Sequence, residues 1–359
     1  MRLLWIFCLW VSVSAAQGDI FIQEEGVELL KNLSATYKPN GLMSYGETRD
    51  TMYRNVYRNN NGEVTCYYTG HTIFLPDDVD PTTFLYNNSD LNGITAEHLY
   101  PQSKGAGEGD ARSDMHSLVP AIWRTNEGRS NYPFGEVPDD ETDHWYVLTD
   151  DLREIPTNDL DLYSEQLNGG FGHPGLFEPR ESVKGDIARA IFYFYTMYKE
   201  EADNADPDFF NEMKDVLFIW HKEDPVDELE RELNIAKARY QQNKLNPFIL
   251  DCSLVRRAYF PDQVIDIDCS ENITTSTDNN DTTEFIVYPN PVTDVLYLSH
   301  SNTNQSIHYS IDSIAGQSII SGKADVNSFI DLSSLLSGTY LLKIEDAFGN
   351  KVIKKIYKK

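Results

Sequence analysis

The sequence predicts an α+β domain followed by a small all-β sandwich. Three observations lead there. Apolar residues recur at helical spacing over much of 185–243. Short runs rich in Val, Thr, Tyr and Ile, bounded by Gly and Asn, lie between 62 and 100. The stretch ENITTSTDNNDTTE (271–284) is small, polar or acidic except for Ile273, so it buries no core and separates two domains. At 359 residues, with 21 Tyr and 17 Phe, the chain is long enough for both.

The first element is MRLLWIFCLWVSVSAAQG. Arg2 precedes an apolar run from Leu3 to Val13, and Ser14, Ala15 and Ala16 supply a small-residue cleavage site. The run is too short to span a bilayer, so 1–16 reads as a secretory signal. Export permits disulfides. Without Cys8 the mature chain keeps Cys66, Cys252 and Cys269. Cys252 and Cys269 suit a short bridged loop, and Cys66 is left as a buried thiol. No Cys-x-x-Cys spacing occurs, which disfavours thiolate-bound zinc.

The body is expected over 17–270. EEGVELLKNLSATY spaces Val27, Leu29, Leu30 and Leu33 over two helical turns. EVTCYYTG, HTIFLP and GITAEHLYP read as strands, and 111–131 as loop with short helix. GDIARAIFYFYTMYKEE (185–201) places Ile187, Ala190, Ile191, Phe194, Tyr195 and Tyr198 on one apolar face. Phe192 and Tyr193 belong to the core. Lys184, Arg189 and Arg180 suggest either a solvated helix face or a track for a phosphate backbone. FFNEMKDVLFIWHKE (209–223) is a second helix. DPVDELERELNIAKARYQQN (224–243) is a third, with Asp224-Pro225 as its cap. Beyond the 271–284 linker, Gly316, Gly322, Gly338 and Gly349 punctuate alternating apolar runs, giving a sandwich over 285–359.

Charge is uneven. The whole chain carries −27, yet 285–359 holds seven Lys against six Asp or Glu, so 17–284 carries about −29. Such a body repels a polyanion at long range, and salt or divalent ions soften the repulsion. Solubility in the exterior is the plainer use of that charge.

The residues that point to chemistry are Glu97 and His98, side by side in ITAEHLYPQS, and Asn126 in the polar run RTNEGRSN. Phosphodiester hydrolysis needs a base that works near neutral pH, which His supplies. It also needs a hard cation beside the phosphate, which one carboxylate and one amide oxygen can hold while the ion keeps its waters. Glu97 and Asn126 provide those oxygens. Adjacent strand residues face opposite ways, so convergence of Glu97 and His98 requires a twist or bulge, with Pro101 ending the strand. The pair alone is weak, since most Glu-His pairs are surface residues. It is not His-Glu-x-x-His, which disfavours a zinc protease.

Four blocks add weight: AEHLYPQSKG, SDMHSLVPAIWRTNEGRSNYPFGEV, KGDIARAIFYFYTMY and DPVDELERELNIAKARYQQNKLNPFI. In this order the chain resembles the secreted bacterial endonuclease I family, nonspecific nucleases with a ββα-metal (His-Me finger) fold. The resemblance implies an α+β nuclease domain with surrounding helices. Within it Glu97 and Asn126 bind Mg²⁺, with Mn²⁺ or Ca²⁺ as alternatives, and His98 acts as general base. It implies a structural place for His116 and Asp114, and either a phosphate-holding or a loop-holding role for Arg129 and Asn131. Some relatives carry a longer insertion with cysteines and an Arg that meets the scissile phosphate. Here the gap is KGAGEGDARSD (104–114), so Arg112 stands in that role and disulfide placement does not transfer. The implied substrate is DNA, with RNA also open, cut to leave 5′-phosphates. The alternatives are an extracellular ribonuclease and a non-catalytic nucleic-acid-binding surface protein.

The tail carries its own resemblance. VYPNPVTDVLYL, SGTYLLKI and GNKVIKKIYKK look like the C-terminal sorting domain of the type IX secretion system. That implies the export machinery as a partner and a released or cell-surface enzyme.

Overall fold

The computed structural model describes residues 20–88, 90–170, 175–263, 285–288, 292–300, 306–313, 318–325, 329–345 and 351–358. The expected signal (1–16), Cys269 and the 271–284 linker lie outside these residues. The chain divides into two compact units, one spanning Gln23–Glu271 and one containing Asn272–Lys359.

In the first unit, α1 (Gly26–Tyr37) buries Leu29, Leu33 and Tyr37 at four-residue spacing, while Val27 faces solvent. Helix α2 (Tyr45–Thr51) opens with a capping box: the Ser44 hydroxyl accepts from the Glu47 N–H, and the Glu47 carboxylate accepts from the Ser44 N–H. A π-type turn, Met52–Tyr57, continues it. Strands β1 (Glu63–Thr65) and β2 (Thr72–Phe74) form a hairpin. A helix absent from the strand-like reading of this region follows, α3 (Pro81–Asn87), with Asp80 capping Thr83 N–H and Pro81 at its first position.

Strand β3 (Ile94–His98) leads through the short helix α4 (Gly109–Ser113) to β4 (Leu118–Ile122), then directly into α5 (Trp123–Arg129). The reading of 111–131 as loop and helix missed β4. Its LVPAI text is buried at every position, so it shows no alternation to read. Next comes an antiparallel sheet of order β6-β5-β7-β8: β5 (His144–Val147), β6 (Asp150–Leu152), β7 (Ser164–Leu167) and β8 (Leu176–Glu178).

Helix α6 (Lys184–Met197) is the centre of the unit. It packs against α1, α8 (Phe209–Glu223) and α10 (Pro247–Leu250), and is buried on all sides rather than on one face. Helix α7 (Lys199–Ala205) follows it after a break at Tyr198. Helix α9 (Glu228–Ala238) is capped by Asp227, whose carboxylate accepts from Glu230 N–H. The expected cap, Asp224, instead accepts from Gly185 N–H at the start of α6. The last helix is α11 (Ser253–Tyr259). Cys66 is a buried free thiol and Cys252 is disulfide-bonded.

Burial removes the proposed phosphate track. Arg189 has no exposed surface and pairs with Glu230 and Asp186. Lys184 is enclosed by Glu178, Glu181 and Glu136, and Arg180 donates to the Tyr67 carbonyl. Phe192 and Tyr193 are core residues.

The second unit is the expected sandwich. One sheet has the order β13-β10-β9: β9 (Phe285–Tyr288), β10 (Val295–His300) and β13 (Phe329–Asp331). The other has the order β12-β11-β14-β15: β11 (Ser306–Ser313), β12 (Ser318–Asp325), β14 (Gly338–Glu345) and β15 (Lys351–Lys358). All pairings are antiparallel. Leu296 and Ile330 from one sheet share a core with Ile307, Ile311, Leu342, Ile344 and Ile356 from the other. No helix among the described residues is long and apolar enough to cross a membrane.

Candidate active site

Strands β3 and β4 pair antiparallel from Ile94↔Ile122 to His98↔Leu118 in continuous register. The expected bulge between Glu97 and His98 is therefore absent. The faces divide as a regular strand requires. Ile94 and Ala96 pack with Tyr53, Val64, Leu85 and Tyr45. Thr95 and Glu97 face α5, which is tied to the strand by the Trp123 N–H on the Gly93 carbonyl. Helix α5 also presses on β5 and β7: a Cβ on Gly128 would collide with the Tyr146 hydroxyl and the Gln166 amide oxygen. A residue larger than glycine there would force those two side-chain ends to shift.

Two residues one turn apart on α5 meet that face of β3. Asn126 Nδ2 donates to Thr95 Oγ1 at 3.0 Å. Arg129 Nη1 donates to Glu97 Oε1 at 3.1 Å and to the His98 carbonyl at 3.0 Å, and its Nη2 to the Leu99 carbonyl at 2.6 Å. Arg129 is 0% exposed and lies over the Phe134 ring. Of the two roles open to it in the sequence, phosphate-holding and loop-holding, the geometry corresponds to the second: the contacts of its guanidinium are internal. The Tyr68 hydroxyl donates a further bond to Glu97 Oε1 at 2.8 Å. Burial pushes the Glu97 carboxyl above its usual range, against the pull of Arg129 and Tyr68.

His98 closes the strand. Its Nε2 lies 3.0 Å from the Arg112 carbonyl oxygen, an atom that only accepts, so Nε2 carries the proton and Nδ1 keeps its lone pair. Gln102 Nε2 sits 3.4 Å from Nδ1, and the Tyr45 ring centroid is 5.3 Å away. Burial lowers the His98 pKa to about 4, helped by the positive charges of Arg112, Arg129 and Arg49. The imidazole is therefore neutral at pH 7. Tyr45 also feels the Glu97 charge, which marks the end of β3 as the place where the two residues share surroundings.

Arg112, on α4, is half-buried and its guanidinium stacks 4.4 Å from the Tyr45 ring centroid. Both line an open cleft of about 420 Å³ together with Leu42, Ser44, Glu108 and Asp110. The structure thus links His98 to Arg112 and Glu97 to Arg129, and sets Asn126 over Thr95 on the Glu97 face. Asp114 and His116 are interior. Asp114 accepts from the Tyr193 and Tyr198 hydroxyls and from Gln241, and His116 Nε2 donates to the Lys244 carbonyl at 2.8 Å. Asn131 Nδ2 reaches Ser103 Oγ at 3.3 Å.

Tyr68, Thr95, Gln102, Tyr45 and Arg49 were not singled out from the sequence. Thr95 had a signal in its two-residue offset from Glu97, and Tyr45 in the Ser44–Glu47 cap just before it. Tyr68 comes from a different hairpin and had none.

Among the described residues no three His, Cys, Asp or Glu side chains converge as a metal cage. The groups that could hold an ion there are one carboxylate, Glu97, and one amide, Asn126. Asn126 Nδ2 is engaged by Thr95, which leaves Oδ1 as its ligand end, and Glu97 is a buried acid on the same strand face. Few protein oxygens and no sulfur suit a hard cation that keeps its waters.

Comparison with known proteins gives a consistent picture. The family model described as Endonuclease I matches residues 26–252. The model described as a secretion system C-terminal sorting domain matches 286–359. An extracellular ribonuclease of Bacillus subtilis (strain 168) is 30% identical over 235 residues, covering 57% of this chain and 72% of its own length. An extracellular ribonuclease of Bacillus amyloliquefaciens is 30% identical over 180 residues, covering 45% and 53%. An extracellular deoxyribonuclease of Aeromonas hydrophila is 29% identical over 136 residues, covering 38% and 48%. The chain therefore spans about half the length of the last two.

Proposed function

The chain belongs to the endonuclease I family, and on that premise we propose that it is a secreted, metal-assisted endonuclease that cuts nucleic-acid phosphodiesters without reading base sequence. The observation that supports this most is the β3–β4–α5 unit, which sets Glu97 and Asn126 on one strand face and ends in a His98 with an unprotonated Nδ1. We read this unit as a ββα-metal (His-Me finger) site, with the phosphate lying across the end of β3.

Glu97 and Asn126 would hold Mg²⁺, or Mn²⁺ or Ca²⁺ in its place; when bound, the ion neutralises charge building on the phosphate. His98 Nδ1 accepts a proton from the attacking water, while the Arg112 carbonyl fixes its tautomer and ring plane. The Arg112 guanidinium, in the cleft, meets the scissile phosphate. Arg129 and Tyr68 position Glu97 rather than touch substrate. The bond from phosphorus to the 3′-oxygen breaks, that oxygen leaves as a 3′-hydroxyl after taking a proton from water, and the product carries a 5′-phosphate. These contacts are to the backbone, so they carry no base sequence. DNA is the substrate we assign first. RNA is the second reading, favoured by the two relatives named extracellular ribonuclease. The 286–359 sorting domain directs the chain to the exterior, and we assign 1–16 as the signal for the first membrane.

A plasmid-nicking assay on the full chain tests this, with and without EDTA, alongside single-stranded DNA and RNA. We expect nicking that EDTA abolishes and that His98→Ala lowers by about 10²–10⁴-fold. Undiminished nicking by His98→Ala would overturn the mechanism.

A further inference from the structure

Two half-buried arginines, Arg49 and Arg112, stand apart from the other buried or half-buried arginines of the first unit. Among the described residues neither guanidinium has a hydrogen-bond or ion-pair partner, and in both the Nε atom is buried without an acceptor. The remaining buried or half-buried arginines of that unit donate to acids or carbonyls: Arg54, Arg58, Arg124, Arg129, Arg180, Arg189, Arg231, Arg256 and Arg257.

They are held by one ring. Arg49 and Arg112 lie 4.8 Å and 4.4 Å from the Tyr45 centroid. Tyr45 itself is fixed as the first residue of α2 by the Ser44–Glu47 capping box. Of the acids nearby, Glu108 also lines the cleft and Asp80 feels the Arg49 charge, and neither forms an ion pair with either arginine among the described residues. Glu47 accepts from Ser44, Asp50 from Thr82 Oγ1 at 2.6 Å, and Asp110 from the Gly41 and Leu42 N–H groups. Neither acid of α2, Glu47 or Asp50, forms an ion pair with Arg49. Arg112 is the nearer of the two to the base, because its own carbonyl receives His98 Nε2–H. Arg49 arrives from a separate helix, on a ring whose centroid is 5.3 Å from that of His98.

We propose that Arg49 is a second phosphate-binding residue that grips a phosphate flanking the scissile one, with Tyr45 as the spacer between it and Arg112. This rests on the nuclease reading above and deepens it. Arg112 and Tyr45 line the cleft, and Arg49 reaches it through the Tyr45 ring; a guanidinium with unmade hydrogen bonds is suited to a doubly oxygenated anion. A contact to a flanking phosphate contributes equally before and during the chemical step, so its loss raises KM rather than lowering kcat.

The test uses the full-length protein, a short labelled single-stranded DNA, and the variants Arg49→Ala, Arg49→Lys and Arg112→Ala. We expect Arg49→Ala to raise KM about tenfold. It should also make the dependence of log(kcat/KM) on log[NaCl] shallower by about 0.7, the loss of one phosphate contact on a single strand. Arg49→Lys should recover the salt slope, because it keeps the charge. Arg112→Ala should lower kcat. Anisotropy of the same DNA in EDTA reads binding without turnover, and there Arg49→Ala should weaken binding about tenfold. An Arg49→Ala protein with the parent's KM, salt slope and affinity overturns the proposal. So does an Arg49→Lys protein that shows the alanine variant's slope, since the residue would then act through packing. A parent protein that binds DNA through Arg49 but does not cut it would instead sink the nuclease reading.

Discussion

Replacing Arg129 with Met separates a positioning arginine from a substrate-binding one. The substitution removes the donors to Glu97 Oε1 and to the His98 and Leu99 carbonyls, all at positions without solvent. It leaves a buried carboxylate with only the Tyr68 hydroxyl as its side-chain donor. Breaking a buried pair in this one-sided way costs about 3–5 kcal/mol. For a unit of this size, each kcal/mol moves Tm by roughly 2–4 °C, so Arg129→Met should melt roughly 10 °C below the parent. Adding Glu97→Gln removes the stranded charge, and the double variant should recover most of that loss. Differential scanning calorimetry on the full chain, read at the transition of the larger unit, gives both numbers. The reasoning fails if Arg129→Met melts with the parent while its kcat/KM for DNA collapses. That result would mean the guanidinium leaves its internal acceptors to meet the phosphate.

Three further outcomes follow from the geometry. Thr95→Val removes the acceptor that orients Asn126, so Mn²⁺ affinity by calorimetry should fall about 10–100-fold; an unchanged affinity would detach Asn126 from the cation. Cleavage should peak at moderate NaCl, because salt screens the acidic body before it weakens phosphate contacts, and a monotonic fall from zero salt would count against that repulsion. Burial raises the Glu165 carboxyl from 4.5 to about 8, so the folded state keeps a proton that the unfolded state releases, and stability drops as pH rises from 4.5 to 8. Glu165→Gln, which keeps an acceptor for the Thr142 hydroxyl, should therefore gain roughly 1 kcal/mol over the parent in urea unfolding at pH 8 and lose that advantage toward pH 4.5. Parallel pH profiles for the two proteins would show that the carboxyl is not held protonated.

What was legible in the sequence followed from periodicity and local chemistry. Helices α6 and α8 were visible because their apolar residues recur at helical spacing, and the sandwich because glycines punctuate alternating runs. Strand β4 was not, since both its faces are buried and Pro120 disguises it further. Pro120 is tolerated there because its carbonyl, not an N–H, makes the outward bond, accepting from Tyr67 N–H at 2.8 Å. The phosphate track drawn through Lys184 and Arg189 illustrates the opposite error. Charge on a helix reads as surface unless its partners are known, and Glu178 and Glu230 come from other segments of the chain. The bulge expected at Glu97–His98 followed from assuming that both side chains must share one strand face. The regular register sets them on two faces, and only the end of the strand is common to both.

The same partner problem explains how an acidic body and a polyanion-binding site coexist. Net charge sums groups regardless of what they touch, whereas a phosphate in a cleft responds to what lies within a Debye length, about 8 Å at physiological salt. In the first unit four buried cations are matched against acids: Arg129 with Glu97, Arg189 with Glu230, Arg257 with Asp251, Lys184 with Glu178. At the cleft the pattern inverts. The carboxylates of Asp110 and Glu47 are turned onto N–H groups and a hydroxyl, Glu108 lines the cleft, and the guanidiniums of Arg49 and Arg112, both on the Tyr45 ring, form no ion pair. The long-range field of the body then sets how often a nucleic acid arrives, and the local inversion sets whether it stays. Adding acids on the far surface should slow association without changing the residence time, whereas a carboxylate placed within reach of Tyr45 should shorten it.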